Sequence, residues 1–478
     1  MTTPTCRTYK IGAESRGYKV TNSNGYPYKV INAYAPLVGK DLTLNSPTFD
    51  APEIIPMHED EPSAAFSWLP YYVVDDEDGT FSIISKASPY AAWDISAQVP
   101  RTGTQYYVAK TGNDSTGDGL SWGTAYLTIG KATTTIGSTP NCVINVGAGK
   151  YDLWGGVIPQ AINVSLIGKS GDTVIMDSFV TGDAWALTSG KTYTYESGSF
   201  VTAAVVTFVL DYKNLDANGD PTYYTKVASI DAVEATAGTW YPDTASSPKK
   251  MYVHTLDDDS PDTDIRPQYG GDSILAVTTN DVNIYIENIR AYAKNASIAS
   301  NGADNTGKVY LNNCRVMFGV KFLNYGYTLF AKDCQFAHNY GSNQDLVDGE
   351  LGTGSNVPKF AFIDCEGWGS GVTGNSVSNV ITSHAAGAFV DLNGEYHDTN
   401  GPPVALIASG YFWGLGTYSH DNLNAATNYY SFQFGLAGTW LDTCESANST
   451  KDIYADPATV YVRDCTLPAT SDASLVAY

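Results

Sequence analysis

The chain has 478 residues, of which only 16% are charged, and it is rich in glycine (45 residues) and tyrosine (34 residues). This composition favours strands and predicts an all-β protein of two or three modules. The formal net charge is −23 and no lysine or arginine cluster interrupts it, which argues against a nucleic-acid partner, because phosphate binding needs clustered cations. No apolar run reaches the length of a membrane span and the amino terminus has no apolar signal-peptide core, so we expect neither membrane insertion nor export.

The first hundred residues predict a separate amino-terminal region, residues 1–100. The tripeptide Tyr-Lys-Val occurs at 18–20 and again at 28–30 around an Asn-Gly turn signal, which predicts a hairpin. A second hairpin is predicted over residues 71–84. Residues 101–105 then join this region to the rest of the chain.

Residues 106–132 combine an apolar strand pattern, a loop rich in glycine and aspartate, and a small-residue segment that predicts the start of a helix. The segment NCVINVGAGKY, residues 141–151, predicts the next strand. We expect residues 101–150 to cap the open end of a repeat, because uncovered strand edges invite aggregation. A strand-rich insertion is expected at about residues 178–268.

An internal repeat fills the carboxyl-terminal half, and one small residue marks each copy. Segments such as VYLNNCRV and VYVRDCTL align on a column of cysteines, namely Cys314, Cys334, Cys365, Cys444 and Cys465. Ile289 and Gly394 take the column position in two further segments, and YFWGLGTY fits loosely with Gly416 in that place. Successive column positions are 20 to 31 residues apart, which is the period of a solenoid repeat.

The residue before the column is polar and predicts a corner between two strands. Six of these residues are Asn288, Asn313, Asp333, Asp364, Asn393 and Asp464. Asparagine and aspartate tolerate the left-handed backbone that a corner requires, and each repeat needs its neighbours to bury its apolar face. We therefore predict a right-handed parallel β-helix over residues 151–478. A β-sandwich and a propeller are the alternatives, which the irregular spacing disfavours.

The cysteines predict reduced thiols packed in the core. The full set is Cys6, Cys142, Cys314, Cys334, Cys365, Cys444 and Cys465. No CxxC or Cys/His metal spacing occurs, so neither a zinc site nor a disulfide framework is expected. Such thiols imply folding in a reducing compartment.

Residues 106–132 together with 141–151 resemble the opening segment of right-handed β-helix proteins of the pectate-lyase-like superfamily. The segment 235–267 and the run from 345 to 422 resemble the insertion and the later coils of phage tailspike or head-spike proteins. The resemblance covers roughly residues 105–478. It implies a homotrimer on the virion surface, with residues 1–100 attached to a tail or head protein, whereas a simple β cap is the alternative for that region.

Two glutamates predict a pair of carboxylates on the outer surface of the β-helix. Glu366 and Glu395 follow the column in successive coils, and Glu445 follows it two coils later. Carboxylates about 5 Å apart suit retaining glycoside hydrolysis. Trp368 and His397 share the same outward side and offer rings on which a sugar can lie. An outer sheet face that merely carries charge is the alternative.

The histidines predict a second cluster. His338, Asp398 and His420 each come four positions after the expected column residue, and we expect Asp421, Asp345, Asp348 and Glu350 on nearby loops. A histidine with aspartate partners can act as a general base, whereas stacked turn residues are the alternative. His384 belongs to the segment that carries the resemblance, but Ala385 follows it where an acid is expected.

Together these features predict a virion spike, folded in the host cytoplasm, that binds a cell-surface polysaccharide. The candidate catalytic residues are Glu366, Glu395, His397, Asp398, His420 and Asp421, and the candidate glycan-binding residues are Trp368, Asp348, His384 and His338. Whether the glycan is cleaved stays open, with hydrolysis favoured over a lyase reaction. No cofactor is expected, although calcium on the acidic run 256–264 is an alternative. A secreted bacterial polysaccharide lyase or hydrolase and a non-catalytic capsid fibre are the rival functions.

Overall fold

The computed structural model describes residues 18–21, 27–30, 63–75, 80–88, 91–152, 163–177, 184–197, 208–247, 249–267, 275–276, 282–292, 298–299, 307–317, 322–325, 328–338, 345–350, 357–371, 378–408, 410–422, 430–434, 438–468 and 470–477. The chain forms two compact units, Met1–Asp94 and Ile95–Tyr478. No helix among the described residues is long and apolar enough to cross a membrane.

The amino-terminal unit contains both predicted hairpins. Strands Tyr18–Thr21 and Pro27–Val30 pair antiparallel, as do strands Tyr71–Asp75 and Phe81–Ser85. A short 3-10 helix, Ser63–Phe66, precedes the second hairpin. In that hairpin alternate residues are buried, as expected for a strand with one covered face. Residues 76–79, between the two strands of this hairpin, lie outside the described residues.

The second unit is a parallel β-helix, which confirms the predicted fold. Each turn of the chain, here called a coil, passes through sheets I, II and III in that order, and equivalent residues of successive coils pair in register. Sheet I comprises Gln105–Val108, Cys142–Val146, Val164–Gly168, Asn283–Glu287, Lys308–Asn312, Thr328–Lys332, Lys359–Ile363, Ala388–Leu392, Tyr411–Leu415, Gly438–Asp442, the second half of Lys451–Arg463, and Thr470–Ala477.

Sheet II comprises Gly149–Asp152, Val174–Asp177, Arg290–Tyr292, Arg315–Met317, Gln335–Ala337, Glu366–Trp368, Glu395–His397, Tyr418–His420 and Glu445–Ala447. Sheet III comprises Phe322–Tyr325, Val347–Glu350, Ile381–Ser383, Val404–Leu406, Tyr430–Phe434 and the first half of Lys451–Arg463. A two-stranded parallel pair, Leu275–Ala276 with Ile298–Ala299, precedes it in the chain.

The corner between sheets I and II has the predicted left-handed backbone. Asn288, Asn313, Asp333, Asp364, Asn393 and Asp464 all have φ between 49° and 55°. Side chains of this corner also bond along the stack, since Asn313 Nδ2 donates to Asn288 Oδ1 at 2.6 Å. From Asn288 to Asn393 the corner is therefore a ladder of Asn and Asp residues, which we call the corner ladder.

In one copy of the repeat the observed register differs from the predicted alignment by one residue. Leu415 pairs with Leu392, so Gly416, with φ of 65°, lies at the corner beside Asn393. Thr417, and not Gly416, then occupies the column. In the sequence Gly416 resembles the small residue of the column. In the structure it adopts the left-handed backbone of the corner.

The column cysteines are free thiols in the core. Cys314, Cys334, Cys365 and Cys444 are buried, whereas Cys465 is half-buried. Burial raises the pKa of Cys334 well above its ordinary value, so this thiol stays neutral and unreactive. Cys142 is also a buried free thiol, and it lies in a strand of sheet I rather than in the column. Cys6 lies outside the described residues.

A buried carboxyl group interrupts the cysteine column. Asp391 points into the core, where its Oδ1 accepts from the Tyr396 hydroxyl at 2.5 Å and its Oδ2 from the Thr417 hydroxyl at 2.6 Å. A Cβ on Gly394 would lie 2.5 Å from both of these carboxylate oxygens. The column residue is therefore Gly394 in the coil where Asp391 needs space. In the next coil it is Thr417, whose hydroxyl donates to Asp391.

A helix, Ile129–Ile136, packs against the first coils. Its apolar side, Ile129, Ala132 and Ile136, is buried against the β-helix core. The Thr128 hydroxyl caps its amino terminus by accepting from the Lys131 amide at 3.1 Å. Two 3-10 helices, Ile95–Ala97 and Trp122–Thr124, lie in the same part of the chain.

The insertion between coils forms two small sheets and a helix. Strands Trp185–Leu187, Tyr195–Ser197, Lys250–His254, Thr239–Asp243 and Thr225–Lys226 form one sheet, strands Pro221–Tyr223, Val209–Leu215 and Ile265–Pro267 form the other, and the helix is Ile230–Ala235. A buried ion pair, Arg266 with Asp177 at 2.9 Å, ties the insertion to sheet II. Removing one partner of such a buried ion pair is costly, because the other charge stays buried without its partner. The pair therefore fixes the position of the insertion.

Replacing Asp391 by asparagine tests the buried carboxyl group. Burial raises the pKa of Asp391 to about 6, from an ordinary value of 3.8. The folded state therefore binds more protons than the unfolded state between these two pH values, and the wild type loses stability as pH rises through them. We expect the wild type to lose about 3 kcal/mol relative to Asp391→Asn between pH 4 and pH 7.

Denaturant unfolding at the two pH values measures this difference. Asp464→Asn, at an exposed corner, is the control for a general effect of removing one acid. A difference between wild type and Asp391→Asn that does not change with pH would contradict the raised pKa.

Candidate functional site

The outer face of sheet II carries two parallel rows of side chains. Strand register places Gln335, Glu366, Glu395, Tyr418 and Glu445 in the first row. The second row contains Ala337, Trp368, His397, His420 and Ala447. Glu366 and Glu395 are thus direct neighbours, as the spacing predicts, with backbones about 4.8 Å apart.

Each of these glutamates contacts a histidine of the following coil. His397 Nε2 lies 3.3 Å from Glu366 Oε1, and His420 Nε2 lies 3.1 Å from Glu395 Oε1. The other ring nitrogen of each histidine faces the next residue in the chain, because His397 Nδ1 is 2.7 Å from Asp398 and His420 Nδ1 is 2.7 Å from Asp421. The same Glu–His–Asp arrangement therefore occurs twice, one coil apart.

The rings of the second row form a stack. Trp368 and His397 are 6.0 Å apart and almost parallel at 5°, and His397 and His420 are 5.0 Å apart at 12°. Tyr418 lies on the other side of His420 at 4.2 Å. A line of flat rings beside carboxylates offers both the apolar surface and the hydrogen-bonding groups that a sugar needs.

Solvent reaches the carboxylates more than the imidazoles. The side chains of Glu366 and Glu395 are 36% and 51% exposed, whereas those of His397 and His420 are 17% and 13% exposed. The hydrogen bond from His420 lowers the pKa of Asp421, and a second bond from Asn448 adds to it. The glutamates therefore present their carboxyl oxygens at the surface, beside partly buried rings.

The predicted cluster of His338, Asp398 and His420 is wrong for His420. His420 pairs in register with His397. This is one position away from the place that the predicted alignment of its coil gives it. His338 and Asp398 do lie at a second left-handed corner, with φ of 58° and 51°, together with Asp421 at 50°.

His338 is a packed residue rather than an exposed acid or base. Burial lowers its pKa to about 4, so the ring is neutral near neutral pH. Its ring lies 6.1 Å from Tyr223 of the insertion and 6.0 Å from Trp368. His338 thus lies between the insertion and Trp368 and connects the insertion to the exposed ring stack.

The insertion covers the early part of sheet II and ends near Trp368. Phe208 and Leu210 pack with Tyr292, Met317 and Ala337 of three successive coils, and Trp368 is partly buried against the same group. The polar part of this contact centres on Asp220, which binds Arg290 at 3.0 Å and Arg315 at 2.9 Å. The insertion therefore forms a wall at one end of the exposed row.

Asp345, Asp348 and His384 form a separate cluster associated with sheet III. Ligand atoms of the three residues lie within 4.8 Å of one another, and His384 Nδ1 is 2.9 Å from Asp348 Oδ1. Both aspartates are buried, at 5% and 0% exposure, whereas the His384 side chain is 37% exposed. These aspartates are predicted on loops near Asp421, but they lie with His384 on another face of the β-helix.

The acidic run 256–264 faces a lysine and a histidine of the protein itself. Lys213 Nζ lies 2.8 Å from Asp257 and 2.6 Å from Asp259, and His254 Nε2 lies 2.8 Å from Asp258. Bonding to Lys213 lowers the pKa of Asp257. These carboxylates therefore already have charged or polar neighbours.

No protein-family model matches the sequence, and no curated protein matches it. Among solved structures the chain is similar to a glycoside hydrolase, with 9% identity and a TM-score of 0.50, over 78% of this chain and 96% of that one. A GH136 lacto-N-biosidase from Eubacterium ramulus has 11% identity and a TM-score of 0.33, over 78% and 67%. The tailspike protein gp49 from Pseudomonas phage LKA1 has 11% identity and a TM-score of 0.17, over 70% and 75%. At these identities the likeness concerns the fold alone.

Gly367, between Glu366 and Trp368, tests how tightly the site is packed from below. A Cβ at this position would lie 2.2 Å from Val380 Cγ1 and 3.1 Å from Tyr396 Cδ1. We expect Gly367→Ala to lower the free energy of unfolding by about 1–3 kcal/mol, because the strand has to shift.

Gly130, in the capping helix, is the matched control. A Cβ there meets no atom within 4 Å, so Gly130→Ala is expected to raise stability by about 0.5–1 kcal/mol. Denaturant unfolding of both variants measures these opposite changes. A Gly367→Ala protein as stable as the wild type would show that the packing beneath the site is looser than described.

Proposed function

We propose that the protein binds a polysaccharide on the outer face of sheet II and hydrolyses it. The observation that carries this proposal is the pair of Glu–His–Asp arrangements on adjacent coils, next to the exposed ring stack of Trp368, His397 and His420. Sugar recognition combines stacking on rings with hydrogen bonds to carboxylates, and both are present in this row. The shared fold with a solved glycoside hydrolase is compatible with this use.

In the proposed reaction Glu366 and Glu395 act as the carboxylate pair of a retaining hydrolase. Gln335 Nε2 donates to Glu366 Oε2 at 2.7 Å and His397 contacts its other oxygen, so Glu366 is oriented as a nucleophile must be. Glu366 would attack the anomeric carbon while Glu395 gives a proton to the departing glycosidic oxygen. Glu395 would then take a proton from the water that releases the sugar, with His420 orienting Glu395.

The Asp345–Asp348–His384 cluster is the second candidate catalytic centre. Its support is the short distance, within 4.8 Å, between two buried carboxylates and an imidazole. Its weakness is access, because Asp348 is fully buried and only His384 reaches the surface. We therefore place the reaction at Glu366 and Glu395 and use Asp348 as the comparison.

Single substitutions distinguish the two centres. We expect Glu366→Gln and Glu395→Gln each to slow polysaccharide cleavage by about 100-fold or more, because each removes one of two required carboxylates. Glycan binding is expected to change little, since both variants keep the shape of the site. Glu445→Gln, in the same row but outside both Glu–His–Asp arrangements, is the control and should cleave normally.

The substrates for this test are purified surface polysaccharides from a panel of bacterial strains. New reducing ends measure hydrolysis, and ultraviolet absorbance of unsaturated uronic products detects a lyase reaction. Loss of cleavage in Asp348→Asn but not in Glu366→Gln would move the reaction to sheet III. Binding without cleavage of any glycan by the wild type would leave a non-catalytic fibre.

We further propose that the protein is a homotrimeric spike on a virion surface, folded in the host cytoplasm and attached through residues 1–100. The buried free thiols of the β-helix support folding under reducing conditions. A compact amino-terminal unit, separate from the β-helix, supports a division between attachment and glycan binding. A secreted bacterial enzyme would have no use for a particle-binding unit.

Attachment is tested with the full chain and particles that lack spikes. Val73→Asp places a charge at a buried position of the second hairpin and is expected to abolish particle binding while glycan binding by the β-helix persists. Tyr72→Asp, at the exposed neighbouring position, is the control. Light scattering should give three times the chain mass of 51.2 kDa, and a monomer that does not bind particles would refute the spike assignment.

A further inference from the structure

A groove of about 540 Å³ lies where the corner ladder meets sheet II, on the side that the insertion covers. Its described lining residues are polar along most of the length. They are Gly171, Asp172, Thr173, Val174, Asn218, Asn288, Ile289, Arg290, Asn313, Cys314, Arg315, Asp333, Cys334, Gln335, Asp364 and Glu366. The groove crosses several coils and reaches Glu366 at one end.

The insertion provides one wall of the groove through the turn at Asn218. Arg315 Nη1 donates to the Asn218 carbonyl at 3.0 Å, and Arg290 Nη1 donates to the Gly219 carbonyl at 2.6 Å. Both arginines belong to strands of sheet II. They therefore hold the turn at Asn218 against this sheet. The groove is thus held open by contacts that do not require a ligand.

Carboxylates outnumber cations along the described lining of the groove, where Asp172, Asp333, Asp364 and Glu366 lie with two arginines. Among the described lining residues the only cations are Arg290 and Arg315, and both already face the single carboxylate of Asp220. Asp333 and Asp364 share Lys332. Because a carboxylate or sulfate on the glycan would meet more acids than cations, and both arginines already contact Asp220, charge disfavours its entry.

The other side of the groove presents a regular series of hydrogen-bonding groups. Asn288, Asn313, Asp333 and Asp364 lie at equivalent corners of consecutive coils, about 4.8 Å apart. An extended glycan advances by a similar length for each sugar. The corner ladder can therefore offer an amide or carboxylate to the hydroxyls of each successive sugar.

We propose that this groove binds an uncharged segment of the glycan, parallel to the β-helix axis, and delivers the chain to Glu366. This inference rests on the proposed function, because it assigns the groove to the substrate of that site. It adds a substrate class, a glycan built from neutral sugars, and a position for the sugars on the insertion side of the reacting bond. Polyuronates and sulfated glycans are excluded as substrates.

Asn218 allows the groove to be narrowed without disturbing its structure. Its side chain is exposed, and the hydrogen bond to Arg315 uses only its backbone carbonyl. Asn218→Trp therefore fills part of the groove and keeps the wall in place. Ala217→Trp, at the exposed neighbouring position that does not line the groove, is the matched control.

The probes are two sets of oligosaccharides of four to six units, one of neutral hexose, deoxyhexose and N-acetylhexosamine oligomers, the other of oligouronates and sulfated oligomers. The full chain should bind members of the neutral set only. For those members Asn218→Trp should weaken the measured affinity by about tenfold or more, and Ala217→Trp should leave it within about twofold.

Other outcomes overturn the proposal in distinguishable ways. Binding confined to the acidic set refutes the substrate class, and unchanged affinity in Asn218→Trp refutes the groove as the binding site. If glycan cleavage still depends on Glu366 in either case, the proposed function stands and this inference falls. If neither set is bound or cleaved, both fall together.

Discussion

In-register stacking of successive coils is the constraint on which the rest of the structure depends. Each coil gains hydrogen bonds and apolar contacts only when its corner lies above the previous corner. The left-handed Asn or Asp at that corner fixes where sheet I ends and sheet II begins, so it also fixes which side chains of sheet II point outward. Glu366 and Glu395 are neighbours for this reason.

The same stacking explains why the carboxylate–imidazole contact is repeated. Glu366 reaches forward by one coil to His397, and Glu395 reaches forward by one coil to His420. Such a contact needs glutamate in the first outward position of one coil and histidine in the second outward position of the next. Because the register already aligns these two positions, one glutamate and one histidine are enough to form each pair.

Much of this could be predicted from sequence because the corner is local. Three or four residues specify it, and alternation on either side of it assigns every outward position as far as Trp368 and His397. The error at His420 came from Gly416, whose small size suits the column as well as the corner. Only the strand pairing of Leu392 with Leu415 separates the two roles.

The sheet III cluster and the insertion contacts were beyond the reach of the same reasoning. Loops of unequal length separate sheet III from the corner, so Asp345, Asp348 and His384 have no common frame in the sequence. Asp220 meets Arg290 and Arg315 across a sequence separation of 70 residues or more. Contacts of that kind follow from how the insertion folds back, which no local pattern encodes.

The charges of the ring stack and of the groove lead to one conclusion. His397 and His420 are stacked at 5.0 Å, yet four carboxylates surround them: Glu366, Asp398, Glu395 and Asp421. Even with both imidazoles protonated, this part of sheet II keeps a net negative charge. A polyanion would be repelled along the whole path from the corner ladder to His420, whereas a neutral sugar meets rings to stack on and acceptors for its hydroxyls. If the proposed function holds, the site would therefore select its substrate by charge before any contact specific to one sugar is made.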